Sequence, residues 1–282
     1  MPRRLFAAAL ASLGLAGCST VDVLNRIEPR TGVEIVRDVA FGPGAHDRLD
    51  IYRPRSGGPG PVVVFIYGGS WNSGSRSIYA FAGSALASHG YTVFIPDYRV
   101  YPEVNYPVFL QDNARAVRWA RDHAGDYGGD PARLVLMGHS AGAYNAAMLA
   151  YDRRWLAAVG LDPRRDVKAL IGLSGPYDFL PLHSDELKII FGPEDQRPAT
   201  QPINYVDGEG PPAFLGVGIR DSVVNPGNTA RLAQRIRDKG GLVETRQYGR
   251  VTHAMTIGVF AAPLRGVAPV LRDVEAFIDS HT

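Results

Sequence analysis

Residues 133–151 read RLVLMGHSAGAYNAAMLAY, and the fold turns on how this stretch is read. Residues 133–137 are a short apolar run that does not alternate, the pattern of a strand buried on both faces. Residues 143–151 are mostly small and apolar and suit a helix. Between them, Gly138-His139-Ser140-Ala141-Gly142 must convert a strand into a helix within five residues. Such a crowded turn needs glycines two places either side of the serine, and it presents the Ser140 hydroxyl above the sheet. A simpler role for Ser140 would be to cap the following helix.

Outward from this stretch, short β-rich runs alternate with helical patterns, which predicts an α/β fold: a mostly parallel sheet with helices on both faces. Residues 33–41 and 48–53 read as an opening antiparallel pair. Residues 61–67, PVVVFIY, read as a central buried strand, followed by a helix over 77–89 and a strand over 92–97. Residues 107–126 read as a long amphipathic helix. Further strands are expected at 167–173, 212–218 and 241–248, covered by helices at about 227–239 and 266–279. These runs make eight strands. Residues 177–211, rich in proline, glycine and aromatics, break the alternation and read as an insertion over one end of the sheet.

A serine hydroxyl is a weak nucleophile at neutral pH and needs a base, and the base needs a group that holds its tautomer. In a sheet of this kind the chain order is Ser, then Asp or Glu, then His. Of seven histidines, His46, His89 and His123 precede Ser140, and His139 lies inside its turn. His183 follows too soon to leave room for an acid-bearing strand, and His281 is beside the last residue. His253 remains, in a loop after the last expected strand. Asp221 is the best-placed acid because it directly follows the strand at 212–218, at the carboxyl end of the sheet. Asp178 is the second candidate. A tetrahedral intermediate also needs amide donors. One is the N–H of Ala141, and others are expected from the glycine-rich loop Tyr67-Gly68-Gly69-Ser70-Trp71.

The length of 282 residues suits one large domain. With 45% hydrophobic and 21% charged residues, the chain can bury a core. The formal charge of +2 comes from Arg3 and Arg4, and no basic block is present to neutralise a phosphate backbone, so a nucleic-acid partner has no support. Residues 1–17 pair a positive start with a short apolar run, the pattern of a secretory signal. Leu15-Ala16-Gly17-Cys18 resembles the lipobox of bacterial lipoproteins, which implies lipidation of Cys18, the only cysteine. That resemblance, with Ser19 next, implies a membrane anchor in the bacterial cell envelope, at the outer membrane facing the periplasm. Residues 18–31 would then be a tether, and 32–282 the folded domain.

Several motifs together carry a wider resemblance: residues 66–71, Asp97-Tyr98-Arg99 with Pro102-Glu103, Tyr127-Gly128-Gly129-Asp130-Pro131, the Gly138–Gly142 turn, and Ser174-Gly175-Pro176-Tyr177-Asp178. From about residue 33 to the C-terminus the chain resembles the carboxylesterases related to hormone-sensitive lipase and to bacterial arylformamidases. The resemblance implies the α/β-hydrolase fold, esterase or amidase activity without metal or cofactor, and oxyanion amides at Gly69, Ser70 and Ala141. Tyr67 departs from the pattern, standing where the family usually has a histidine that braces this loop. The leading expectation is a serine hydrolase acting on small-molecule esters of short acyl or aryl groups, with Trp71, Tyr98, Phe179 and Leu180 as pocket walls. Cleavage of an N-formyl aromatic is the enzymatic alternative. A lipid-anchored binding protein with a retired site is the non-enzymatic one.

Overall fold

The computed structural model describes residues 17–282. The expected secretory signal thus lies, except for its last residue, outside the described residues. The eight strands are β1 (Val33–Ala40), β2 (Arg48–Pro54), β3 (Gly60–Ile66), β4 (Thr92–Pro96), β5 (Gly129–His139), β6 (Ala169–Leu173), β7 (Ala213–Gly218) and β8 (Val243–Tyr248). They form one sheet in the order β1-β2-β4-β3-β5-β6-β7-β8. β2 runs antiparallel to β1 and β4, and all other pairings are parallel. This is the α/β-hydrolase fold expected from the sequence.

The apolar runs explain the middle of the sheet. Residues 62–66 of β3, all of β4 and all of β6 are buried without alternation, as strands covered on both faces must be. The edge strand β8 instead alternates partly buried and exposed residues.

The principal helices are α1 (Gly17–Ile27), α2 (Ala80–Ser88), α3 (Val108–Asp122), α4 (Ala141–Tyr151), α5 (Asp185–Ile190), α6 (Gly227–Asp238) and α7 (Val270–His281). Connectivity then places the site. From β3 the chain moves outward to β4, then returns to lay β5 on the other side of β3. At such a reversal the loops leaving two adjacent strands diverge and leave a crevice at their carboxyl ends. β3 and β5 pair in register up to Ile66 against Gly138, so the Tyr67–Trp71 loop and the Ser140 turn leave the sheet side by side.

One expectation is changed by the structure. The tether is helical over Gly17–Ile27 and continues onto the body. Val21 and Leu24 pack against the core, and the Asn25 side chain donates to the carbonyls of Ser77 and Ile78 and accepts from the Phe81 amide at 2.8 Å. Glu28 accepts from the Ala262 amide and from Arg265. Positions 21, 24, 25 and 28 form one helical stripe, and burying that stripe is what the tether reading overlooked.

Residues 177–211 lie over the carboxyl end of the sheet and are tied to the body at several points. Tyr144 donates to the Thr200 carbonyl at 2.6 Å, Gln201 accepts from the Phe179 amide at 2.8 Å, and Phe191 is buried among Trp71, Phe109 and Tyr144. Prolines at 193, 198 and 202 keep most of the segment to short helical turns around α5.

Candidate active site

Ser140 occupies the tip of the β5–α4 turn with φ 56° and ψ −126°, a conformation in which a non-glycine residue is strained. The flanking glycines are steric necessities. A Cβ on Gly142 would stand 1.9 Å from the Ile66 carbonyl oxygen, and one on Gly138 would stand 2.2 Å from that of Gly142. The turn can form only because β3, β5 and α4 approach to backbone contact there.

His253 sits on the loop after β8. Its Nε2 lies 2.8 Å from Ser140 Oγ, and its Nδ1 lies 2.8 Å from Asp221 Oδ2. The Asp221 side chain is fully buried, and its other oxygen accepts from the amides of Val223 and Val224 at 3.0 and 2.9 Å. Burial pushes the Asp221 carboxyl up, but the hydrogen bond from His253 and the two amides outweigh it and hold the group below its ordinary value. An ionised carboxylate only accepts, so Nδ1 carries the imidazole proton and Nε2 is left to accept from the serine. The sequence had left Asp178 as a second candidate. In the structure Asp178 pairs with Arg231 at 2.5 Å, on the cleft wall, and it is Asp221 that meets the imidazole.

The loop after β3 carries three successive positive φ angles, at Gly69 (143°), Ser70 (51°) and Trp71 (59°). Among the described residues the amides of Gly69, Ser70 and Ala141 have no protein acceptor, so all three are free to donate. Ser70 and Ala141 border the cleft, whereas Gly69 does not. A Cβ on Gly68 would lie 2.8 Å from the Cβ of Ser140, which shows how closely loop and nucleophile are pressed together. The loop is held from behind by the Trp71 indole, which donates to Asn145 Oδ1 of α4 at 3.0 Å.

Tyr67, at the start of the loop, is packed among tyrosines. Its ring stacks on Tyr98 at 4.6 Å and faces Tyr79 at 6.1 Å, and its hydroxyl accepts from the Tyr98 amide. Burial, with Asp97 nearby, pushes the Tyr67 phenol up, so it stays a neutral hydrogen-bonding group. Gly74, at φ 108°, leaves the space the ring fills, since a Cβ there would come within 2.8 Å of it.

This arrangement also corrects one expectation. Tyr98 is buried beneath the loop, where its hydroxyl donates to the Tyr67 carbonyl at 2.8 Å, and it forms no part of the cleft wall. Trp71, Phe179 and Leu180 do line the cleft, which has a volume of about 530 Å³. Leu187 and Val223 complete its apolar side.

The arrangement as a whole offers a nucleophile, a correctly oriented base, free amides beside both, and an apolar cleft over them. The model of the BD-FAE family matches residues 49–236. Among curated proteins, esterase LipC of Mycobacterium tuberculosis is 31% identical over 221 residues, covering 71% of this chain and 55% of the relative. A probable isoprenylcysteine alpha-carbonyl methylesterase of Arabidopsis thaliana is 28% identical over 82% of this chain and 52% of its own length. The chain thus spans about half the length of these relatives. Among solved structures, the tributyrin-phosphonate-inhibited esterase B of Lactobacillus rhamnosis superposes with a TM-score of 0.80 at 19% identity, covering 99% of this chain and 97% of that one. A truncated carbohydrate esterase from gut microbiota gives a TM-score of 0.76 at 20% identity, over 90% and 99% of the two chains. At these identities the structural likenesses speak for the fold.

Proposed function

The chain belongs to the BD-FAE family, and from that premise we propose that it is a serine esterase that cleaves carboxylic esters of short acyl or aryl groups through an acyl-enzyme. The observation that carries this reading is the unbroken line Asp221–His253–Ser140, with 2.8 Å at each link, opening on the apolar cleft. Ser140 Oγ attacks the ester carbonyl while His253 Nε2 takes its proton. The oxyanion that forms faces the amides of Ser70 and Ala141. Collapse of this intermediate breaks the ester C–O bond, and the imidazolium returns the proton to the leaving alkoxide. Water, deprotonated by the same imidazole, then attacks the acyl-enzyme, and the acid leaves as Ser140 regains its proton. Relatives named as esterases favour an ester over a formamide as the substrate.

Turnover of a short-chain chromogenic aryl ester tests the proposal. The Ser140→Ala variant is expected to lose at least about 10⁴-fold in kcat. Absence of turnover in a folded wild-type protein that also fails to react with a fluorophosphonate would overturn it.

For location, we infer a lipid anchor at Cys18 in a bacterial envelope, facing the periplasm. The support is the charged start, the apolar run and Leu15-Ala16-Gly17-Cys18 where that run ends. With α1 packed on the body, such an anchor would hold the domain close to the lipid surface. Metabolic labelling with a fatty-acid analogue is expected in the wild type and lost in Cys18→Ser; equal labelling of both would refute the anchor.

A further inference from the structure

The nucleophile turn holds a second histidine that the mechanism above does not use. His139 is buried, with its ring 4.9 Å from that of His253 and inclined to it by 43°. Its Nε2 lies 3.1 Å from the backbone carbonyl oxygen of His253. A carbonyl only accepts, so His139 carries its proton on Nε2 and donates. Its Nδ1 is then the acceptor facing the Tyr79 hydroxyl at 3.4 Å. Burial, with the charge of His253 nearby, pushes His139 down to about 3, so it stays neutral while His253 gains and loses its proton.

The same carbonyl also accepts from Thr256, through Oγ1 at 2.6 Å and through the amide at 3.3 Å. Thr256 Oγ1 is also 3.1 Å from Ser174 Oγ. A carbonyl only accepts, and the 2.6 Å contact is the shorter of the two, so the Thr256 hydroxyl donates to the carbonyl and Ser174 packs behind it. Ser174 is itself buried, at φ 50°, and its amide donates to the Gly216 carbonyl at 2.8 Å. Side chains at the end of β5 and on the turn after the loop therefore converge on one main-chain atom of the base, with Ser174 in contact with the second of them.

We propose that His139, supported by Thr256 and Ser174, is a positioning residue that holds the backbone of His253 at the height from which its imidazole reaches Ser140. The proposal rests on the esterase reading for its substrate, and on Ser140 and His253 alone for its geometry. His139 shares its backbone with the nucleophile, so the contact ties the loop of the base directly to the turn it must serve. A displacement of about 1 Å at such a site can cost on the order of 10²-fold in rate.

The test compares His139→Leu, which fills the space but cannot donate, with His139→Gln, whose amide can still reach the carbonyl. Thr256→Val removes the hydroxyl donor, with little change of volume, and leaves the amide in place. In the full chain, with a short-chain aryl ester, His139→Leu is expected to lower kcat by about 10- to 100-fold with KM within about twofold. His139→Gln is expected to recover most of that loss, and Thr256→Val to fall between. The low-field proton resonance of His253 Nδ1–H is expected to stay sharp in the wild type and the glutamine variant and to broaden in the leucine variant. Unchanged kcat in His139→Leu, or equal losses in leucine and glutamine variants of equal melting temperature, would overturn the proposal. The rate of fluorophosphonate labelling of Ser140 needs the base but no particular ester. A wild type that labels without turnover removes the ester reading only, and the labelling rates then decide between the variants. A wild type that does not label removes both.

Discussion

Beneath Ser140 there is no slack: a Cβ on Gly142 would stand 1.9 Å from the Ile66 carbonyl, and one on Gly68 would stand 2.8 Å from the Cβ of Ser140. Across the same cleft, Leu180 and Leu187 are only partly buried and Val223 is 67% exposed. The floor is made of backbone segments pinned by the β3–β5 register and by polar groups that have partners. The wall is made of side chains on a segment held at a few points, among them the hydrogen bonds of Thr200 and Gln201. Close packing transmits any displacement, whereas a half-exposed wall can absorb one. The chemistry is therefore set where substitutions are least tolerated, and the fit to substrate where they are most tolerated.

The sharpest way to break this contrast is Asp221→Asn. The amide no longer dictates which imidazole nitrogen holds the proton, and kcat is expected to fall by about 10⁴-fold with the fold intact. A loss under about tenfold would mean that the floor is less strictly organised than its geometry implies.

A smaller effect concerns stability against pH. Folded His139 is held at about 3, far below the ordinary histidine value of 6.5. As pH falls below about 6.5, the unfolded chain binds a proton that folded His139 refuses, so this group's contribution is present above that value and is lost progressively towards pH 3. Asp221 is also lowered, but its contribution is lost only below the ordinary aspartate value of 3.8. Unfolding free energies from denaturant titrations at pH 6.5 and 4.5 should therefore converge in His139→Gln relative to the wild type, by up to about 1.4 kcal/mol per pH unit. An unchanged slope would show that His139 is protonated in the fold.

The smallest effect belongs to the wall. Leu187→Ala is expected to shift the ratio of kcat/KM for a butyryl over an acetyl ester by about three- to tenfold, with little change in melting temperature. A loss of activity on both esters as large as that of Asp221→Asn would dissolve the distinction between floor and wall.

How much of this was legible beforehand follows the same division. The strand, the glycine spacing and the helix around Ser140 all lie within residues 133–151, so that turn could be read directly. His253 followed from chain order, which the fold imposes. Asp221 is preferred over Asp178 in the sequence because it directly follows a strand at the carboxyl end of the sheet, and the structure brings that loop to the imidazole. Tyr98 was read as a wall residue because a tyrosine after a strand does not announce which way its ring turns. The helical spacing of Val21, Leu24, Asn25 and Glu28 was present in the sequence, but its meaning depended on a body for it to pack against.

By itself, then, the sequence determined the alternating strands and helices, the strained serine turn and the order of the catalytic groups, because each depends on residues that are neighbours along the chain or on a rule of connectivity. Only the tertiary structure decided the distances within the triad, the bracing of the Tyr67 loop by Tyr98 and Tyr79, and the convergence of His139 and Thr256 on one carbonyl. Those contacts join segments up to 114 residues apart. Their geometry depends on strand register and on the filling of a shared core, and the pattern of any one segment encodes neither.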